Sequence, residues 1–319
     1  MKVYSDSQAI AQHFDPETGV GNAYKFWANW FQVVKIIFFG WEKTLDHPAQ
    51  FHYGLDFTND LNIAINRTAL EAFTNLKLTK GEVLDAGCGN GGASLILARK
   101  YPQVHFTGVT LSAGQISTAR KRAQTAKISN VTYTKANYMK LPFADETFDG
   151  ILGIETFCHV DDRDKKQLLR ELFRVLKRKG RVAIFDAFLN ERPTLKMHRP
   201  ELHKRIFNGW ALPDKISTAS FFQKCASKQG FRVITDEEIT NRILASAKEV
   251  RRRIQLLRLL TPLAKVFIRL RKFGIELPLI NRTGLDYQDI FMFADTGEWQ
   301  YEMFKYRDVQ YRKIAMEKV

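Results

Sequence analysis

Residues 83–92 read VLDAGCGNGG, an apolar run that ends in a turn with glycine at four of its last six positions. Gly87, Gly89 and Gly91 open backbone conformations closed to residues with a Cβ and let a ligand approach the main chain, while Gly92 permits close helix-strand packing. A helix starting there aims its free N–H groups at that ligand. This is a nucleotide-type binding turn. A second group with chemical potential is Glu155-Thr156-Phe157-Cys158-His159, where a carboxylate and an imidazole follow a buried-looking strand. Such a pair could move a proton or stand beside a positive charge. The structural alternatives are Glu155 capping a helix or pairing with an arginine, and His159 as a packing residue.

The elements that position these residues alternate. Strands are predicted at Glu82–Ala86, Val104–Thr110, Val131–Lys135, Gly150–Ile154 and Arg181–Phe188. Helices are predicted at Gly92–Tyr101, Ser112–Lys127 and Asp164–Lys177. Ser112 and Gln115 have the spacing of a capping box. The third helix repeats Leu168, Leu169, Leu172, Phe173 and Leu176 on one face and stops at Lys179-Gly180. Such alternation predicts an α/β, doubly wound, mostly parallel sheet that collects ligands at the carboxyl ends of its strands. Residues 1–76 read as an N-terminal helical lid, 77–190 as the nucleotide-binding core, and 191–319 as a C-terminal helical cap. The last region also returns strands to the sheet at Gly230–Ile234 and Tyr301–Tyr306.

A dinucleotide site would carry G-x-G-x-x-G and an acid at the end of the second strand. Here the turn is G-x-G-x-G-G, Asp85 precedes it, and the second strand ends Gly108-Val109-Thr110-Leu111-Ser112. This resembles motif I of the class I S-adenosylmethionine-dependent methyltransferases, whose core is Rossmann-like. Further segments agree in order: Ala136 to Phe143 after the third strand, Phe148 to Glu155 around the fourth, and Leu176 to Phe185 leading into the fifth. The combination G-C-G-x-G-G, G-V-T-L-S-x-x-Q and E-x-x-x-H is similar to one branch. That branch holds sterol C-methyltransferases, tocopherol methyltransferases, cyclopropane fatty acid synthases and prenyl-diphosphate C-methyltransferases.

The resemblance implies S-adenosylmethionine as cofactor and S-adenosylhomocysteine as product. It assigns cofactor contacts to Tyr53, Asp85, Gly87, Cys88, Gly89, Asn90, Gly91, Thr110, Leu111, Gln115, Asn137, Tyr138, Met139 and Glu155. Asp85 would bind the ammonium of the methionine moiety. Asn137 stands where the family commonly has Asp, so an amide oxygen would meet the adenine amino group; Thr110 replaces the usual ribose-binding acid, leaving Gln115 and backbone groups to take over. Glu155 and His159 are the expected catalytic residues. For an alkene acceptor, Glu155 would stabilise a carbocation and then remove a proton; for oxygen or nitrogen, His159 is the better base. Expected substrate contacts are Tyr24, Trp27, Trp30, His52, Phe157, Trp210 and Arg251. The favoured reaction is C-methylation of a prenyl diphosphate. The alternatives are O- or N-methylation of a small natural product, C-methylation of a sterol or other membrane lipid, and an inactive domain that binds membrane surfaces.

Composition bounds these readings. The chain has 319 residues, 45% of them hydrophobic and 26% charged, as in an ordinary globular protein. Cys88, Cys158 and Cys225 are too few and scattered for a disulfide framework or a cysteine zinc site, and no metal is required. Mg2+ would enter only with a diphosphate. The start of the chain lacks the apolar core of a signal peptide, and no run of about 18 apolar residues is present, so a cytoplasmic protein is expected. The net charge of +15 is concentrated late, with ten Lys/Arg against Glu249 alone between residues 242 and 272. Charge this local argues against nucleic acid as partner. The same stretch could be a solvated outer face, a surface for peripheral contact with an anionic membrane, or a source of arginines for a diphosphate. A homo-oligomer is compatible with all three.

Overall fold

The computed structural model describes residues 52–193, 216–259 and 300–319. Helix α1 (Leu61–Thr74) starts where the Asp60 carboxylate accepts the N–H groups of Asn62 and Ile63 at 2.7 and 3.2 Å. The alternating core follows: β1 (Gly81–Ala86), α2 (Gly92–Lys100), β2 (Val104–Thr110), α3 (Ala113–Thr125), β3 (Val131–Lys135), β4 (Phe148–Ile154), α4 (Lys165–Val175) and β5 (Leu176–Leu189). Next come α5 (Ala219–Gln229), β6 (Phe231–Glu238), α6 (Thr240–Leu259), α7 (300–305) and β7 (Val309–Lys318).

Among the described residues, seven strands form one sheet in the order β3-β2-β1-β4-β5-β7-β6. The first five run parallel, and β7 lies antiparallel to both β5 and β6. Side-chain alternation sends Val83, Phe106, Leu152 and Phe185 to one face and Leu84, Ile151, Val182 and Ile184 to the other. Helix α4 seals the second face with Leu168, Leu169 and Leu172, all fully buried. Strand order reverses between β1 and β4, so the carboxyl ends of these two strands open the crevice where ligands bind in such sheets.

The predicted core elements are present, with three corrections. The segment Tyr301–Tyr306 is not a strand: 300–305 is helical and buries Met303 and Phe304. The last strand is β7, whose charged sequence conceals it. Its Arg312 pairs with Asp236, Lys313 with Glu71 and Glu237, Glu317 with Arg181 and Arg232, and Lys318 with Glu146. Helix α4 ends at Val175 rather than Lys177, because Leu176 already pairs with Phe148 in the sheet. Of the helical lid, only α1 and the segment before it lie among the described residues. Tyr24, Trp27, Trp30 and Trp210 lie outside them.

The basic stretch is in part structural. Arg242 on α6 makes paired hydrogen bonds to both Asp56 and Glu71, tying α6 to α1 and the segment before it. Arg251 pairs with Glu302 at 2.8 Å, and Arg252 pairs with Glu249. Among the described residues, no helix is long and apolar enough to cross a membrane.

Candidate active site

The turn after β1 is held from two sides. Gly87 and Cys88 donate their N–H groups to the Val109 carbonyl on β2, each at 2.9 Å. From β3, Tyr133 donates its hydroxyl to the Gly91 carbonyl at 3.1 Å. The glycines have different roles. At Gly87 (φ +83°) a Cβ would overlap the Thr156 hydroxyl, whereas at Gly89 (φ +52°) it would meet nothing within 4 Å. Gly87 therefore serves packing between the β1 and β4 ends, and Gly89 faces the space a ligand needs. Gly87→Ala should unfold or severely destabilise the protein. Gly89→Ala should lower the melting temperature by only a few degrees yet weaken nucleotide binding, as thermal melts and calorimetry would measure.

Asp85 is the charged residue of the stretch 83–92; it is 3% exposed, and its Oδ2 has no hydrogen-bond partner. Burial raises its pKa to about 6, against the opposing effect of Ser94 hydrogen bonds. A buried, unsatisfied carboxylate oxygen is costly unless a cationic donor reaches it. Asn90 is buried too, and the Cys88 thiol is pushed well up by burial, which makes it a neutral packing group.

On the next strand end, Thr110 donates its hydroxyl to Gln115 Oε1 at 2.7 Å. Ser112 caps α3 through the Gln115 N–H at 3.2 Å, but the expected capping box is only half made, because the Gln115 side chain turns to Thr110. That leaves the Gln115 amide NH2 as donor for hydroxyl groups. Leu111 is half-buried between them. After β3, Asn137 Oδ1 accepts the Met139 N–H at 2.9 Å, so this oxygen already shapes a local turn and offers an adenine amino group only its second lone pair. Tyr138 donates to the Thr156 carbonyl at 3.2 Å and packs edge-on against Phe157.

Glu155 ends β4 in a left-handed backbone conformation, φ +46°, which is uncommon for a residue with a side chain. Its Oε1 accepts the Tyr53 N–H at 2.6 Å and the Tyr311 hydroxyl at 2.9 Å. Solvent reaches part of the side chain, yet it lies deep enough that burial, with a smaller push from Asp186, raises its pKa to about 8 against those two hydrogen bonds. His159 follows on a short 3-10 turn, Phe157–His159, and is half-buried. His52, half-buried, is held to a pKa of about 4 by burial and so stays neutral.

Two expected substrate residues have other tasks. Phe157 is 1% exposed and packs its ring under Gly153 and against Tyr138, which makes it core. Arg251 lies over the Tyr301 ring and pairs with Glu302, holding α7 to α6. Tyr53 is a hub as well as a neighbour of the turn: its hydroxyl meets Gln300, and its ring packs edge-on against Phe304 and Tyr311. Sequence reasoning missed Tyr311 and Asp186. The second had a signal, a lone acid inside the apolar strand sequence IFDAF.

Residues 83–180 match a family described as Methyltransferase domain. An O-methyltransferase, rstn1, of Aspergillus nomiae is 33% identical over 181 residues, which are 56% of this chain and 77% of the relative. The chain belongs to the class I S-adenosylmethionine-dependent methyltransferases. Another relative of this methyltransferase is cycloartenol-C-24-methyltransferase 1 of Oryza sativa subsp. japonica, 33% identical over 50% of this chain and 45% of the relative. In fold it is similar to geranyl diphosphate C-methyltransferase from Streptomyces coelicolor A3(2), with a TM-score of 0.62 at 19% identity, covering 86% of this chain and 93% of that one.

The site fits the cofactor. Asp85 Oδ2 is the acceptor an ammonium requires, Gly89 leaves the approach open, and Gln115 and Asn137 stand at the β2 and β3 ends. Since Asp85 must be ionised to hold an ammonium, affinity for S-adenosylmethionine should be flat above about pH 6 and fall about tenfold per unit below it. Calorimetry from pH 5 to 8 measures this.

Proposed function

We propose that this methyltransferase acts on an alkene carbon of a hydrophobic, isoprenoid-like acceptor, with Glu155 as the group that receives the proton. S-adenosylmethionine, when bound, would supply the methyl group as an electrophile: the methyl–sulfur bond breaks, its electron pair stays on sulfur, and S-adenosylhomocysteine is released. On the acceptor, the alkene π pair forms the new C–C bond and leaves positive charge on the neighbouring carbon. A carboxylate beside that carbon stabilises the charge and then takes the adjacent proton, restoring a double bond. The observation that carries this reading is the placement of Glu155 at the β4 end, held by the Tyr53 N–H and the Tyr311 hydroxyl. A carboxyl that is costly to ionise when alone gains most from a cation beside it.

The diphosphate form of the acceptor has weaker support. Arg242, Arg251 and Arg252 are committed to carboxylates. Among the described residues, no group of three or more His, Cys, Asp or Glu could hold a metal ion, so nothing here supports Mg2+. A neutral sterol- or polyprenyl-like acceptor fits these pairings better. Peripheral membrane contact through residues 242–272 is retained as a proposal.

A second reading, O-methylation with His159 as base, is favoured by relatives named O-methyltransferase. Labelled S-adenosylmethionine, offered with sterols, prenyl diphosphates, quinols and fatty acids, separates the two. Label should enter an alkene-bearing acceptor and fall sharply with Glu155→Gln. Label entering only quinols or other hydroxyl acceptors, with Glu155→Gln active, would favour oxygen.

A further inference from the structure

Asp186 sits in β5 and is fully buried. Its Oδ2 accepts three consecutive backbone N–H groups, from Thr156 at 3.1 Å, Phe157 at 2.8 Å and Cys158 at 3.0 Å. Its Oδ1 accepts the Ala187 N–H at 2.8 Å. Amides converging on one carboxylate oxygen are what a helix N-terminus offers to a cap. Here the cap comes from the neighbouring strand, because a three-residue turn supplies too few bonds to hold itself. Buried Lys165 meets the Phe157 carbonyl at 2.5 Å and grips the turn from its other end. One residue earlier, the Glu155 N–H bonds to the Phe185 carbonyl at 2.8 Å. Strand β5 and Asp186 therefore fix four successive N–H groups, from residue 155 to residue 158.

We propose that Asp186 is a positioning residue: by capping the turn after β4 it holds Glu155 in its left-handed conformation, with the carboxylate on the Tyr53 N–H and the Tyr311 hydroxyl. This rests on the reading of Glu155 as the proton acceptor and adds what sets its geometry. The strained φ of Glu155 persists only where its surroundings over-determine it, and four fixed N–H groups do so. Asp186 also acts through space. Among the described residues, the titratable groups whose interaction with Glu155 is resolved are Tyr53 before α1, Cys158 in the turn, Asp186 on β5 and Tyr311 on β7. Of these only Asp186 brings a like charge, which adds to burial in raising the Glu155 carboxyl.

The test needs no acceptor. In the full chain labelled with 13C-carboxyl glutamate, the resonance absent from Glu155→Gln identifies Glu155, and its titration midpoint in the unaltered protein should lie near 8. Asp186→Asn keeps an acceptor oxygen for the amides and removes the charge, so the midpoint should fall. An unchanged or raised midpoint in a folded Asp186→Asn would refute the through-space effect. The cap itself is read by hydrogen exchange in the unaltered protein. Amides 156–158 should be protected as strongly as the centre of β5, and exchange at the rate of exposed loops would refute the cap. Full turnover by Glu155→Gln would instead remove the catalytic reading and leave both of these outcomes unaffected.

Discussion

Glu155→Gln should lower turnover by about 10²- to 10⁴-fold, the range typical of losing a positioned acid-base group. Affinity for S-adenosylmethionine should stay within about threefold, because Asp85 and the glycine turn remain. Glutamine keeps an oxygen for the Tyr53 N–H and the Tyr311 hydroxyl, so the surroundings of the site should persist. It cannot take up a proton or balance a cation. The pH dependence separates this from a packing defect. With a carboxyl pKa of about 8, turnover of the unaltered enzyme should climb through pH 7 and level off above about 8. The residual activity of the variant should lack that limb. Stability carries the opposite sign. The folded pKa lies above the unfolded value of 4.5, so the stabilisation that Glu155 gives as a neutral acid is complete below about 4.5 and lost as pH rises through 8. Glu155→Gln should therefore melt higher than the parent at pH 9, with the gap closing toward pH 4.5.

Asp85→Asn is the second large effect and pits binding against stability. Loss of a charge-assisted hydrogen bond worth about 1.5–3 kcal/mol should weaken S-adenosylmethionine binding by about 10- to 150-fold. The cofactor-free protein should gain stability. The Asp85 pKa rises from 3.8 to about 6 on folding, so stability present below about 3.8 is lost as pH rises through 6. At pH 7–8 the asparagine variant should recover up to about 3 kcal/mol, seen as a higher melting temperature without cofactor. Equal losses of stability and binding would mean that Asp85 is a structural residue.

These effects trace how far the sequence could be read. The glycine turn, the alternation of strands and helices, and Glu155 at the β4 end were all legible, because each depends on local spacing and on the period of buried side chains. What escaped depends on contacts between distant residues. The strand Val309–Lys318 reads as charged, and partners far away in sequence, among them Asp236, Glu237, Arg181 and Glu146, explain how those charges lie in a sheet. Phe157 is an expected substrate contact, yet its ring points beneath β4 toward Gly153. Arg251 reads as a ligand for anions, yet it pairs with Glu302 on α7. Asp186 was visible as an odd acid in an apolar strand, but nothing local told which amides it would collect. Tyr311 belonged to a strand the pattern did not reveal.

Whether Glu155 serves methylation at carbon is read from the 13C spectrum of product made from S-adenosylmethionine labelled in the methyl group and the acceptor that takes up label. A methyl signal in the alkyl region with a long-range correlation to protons of the acceptor is expected, and Glu155→Gln should cut the yield by about 10²- to 10⁴-fold. A methoxy signal, formed equally well by Glu155→Gln, would contradict methylation at carbon.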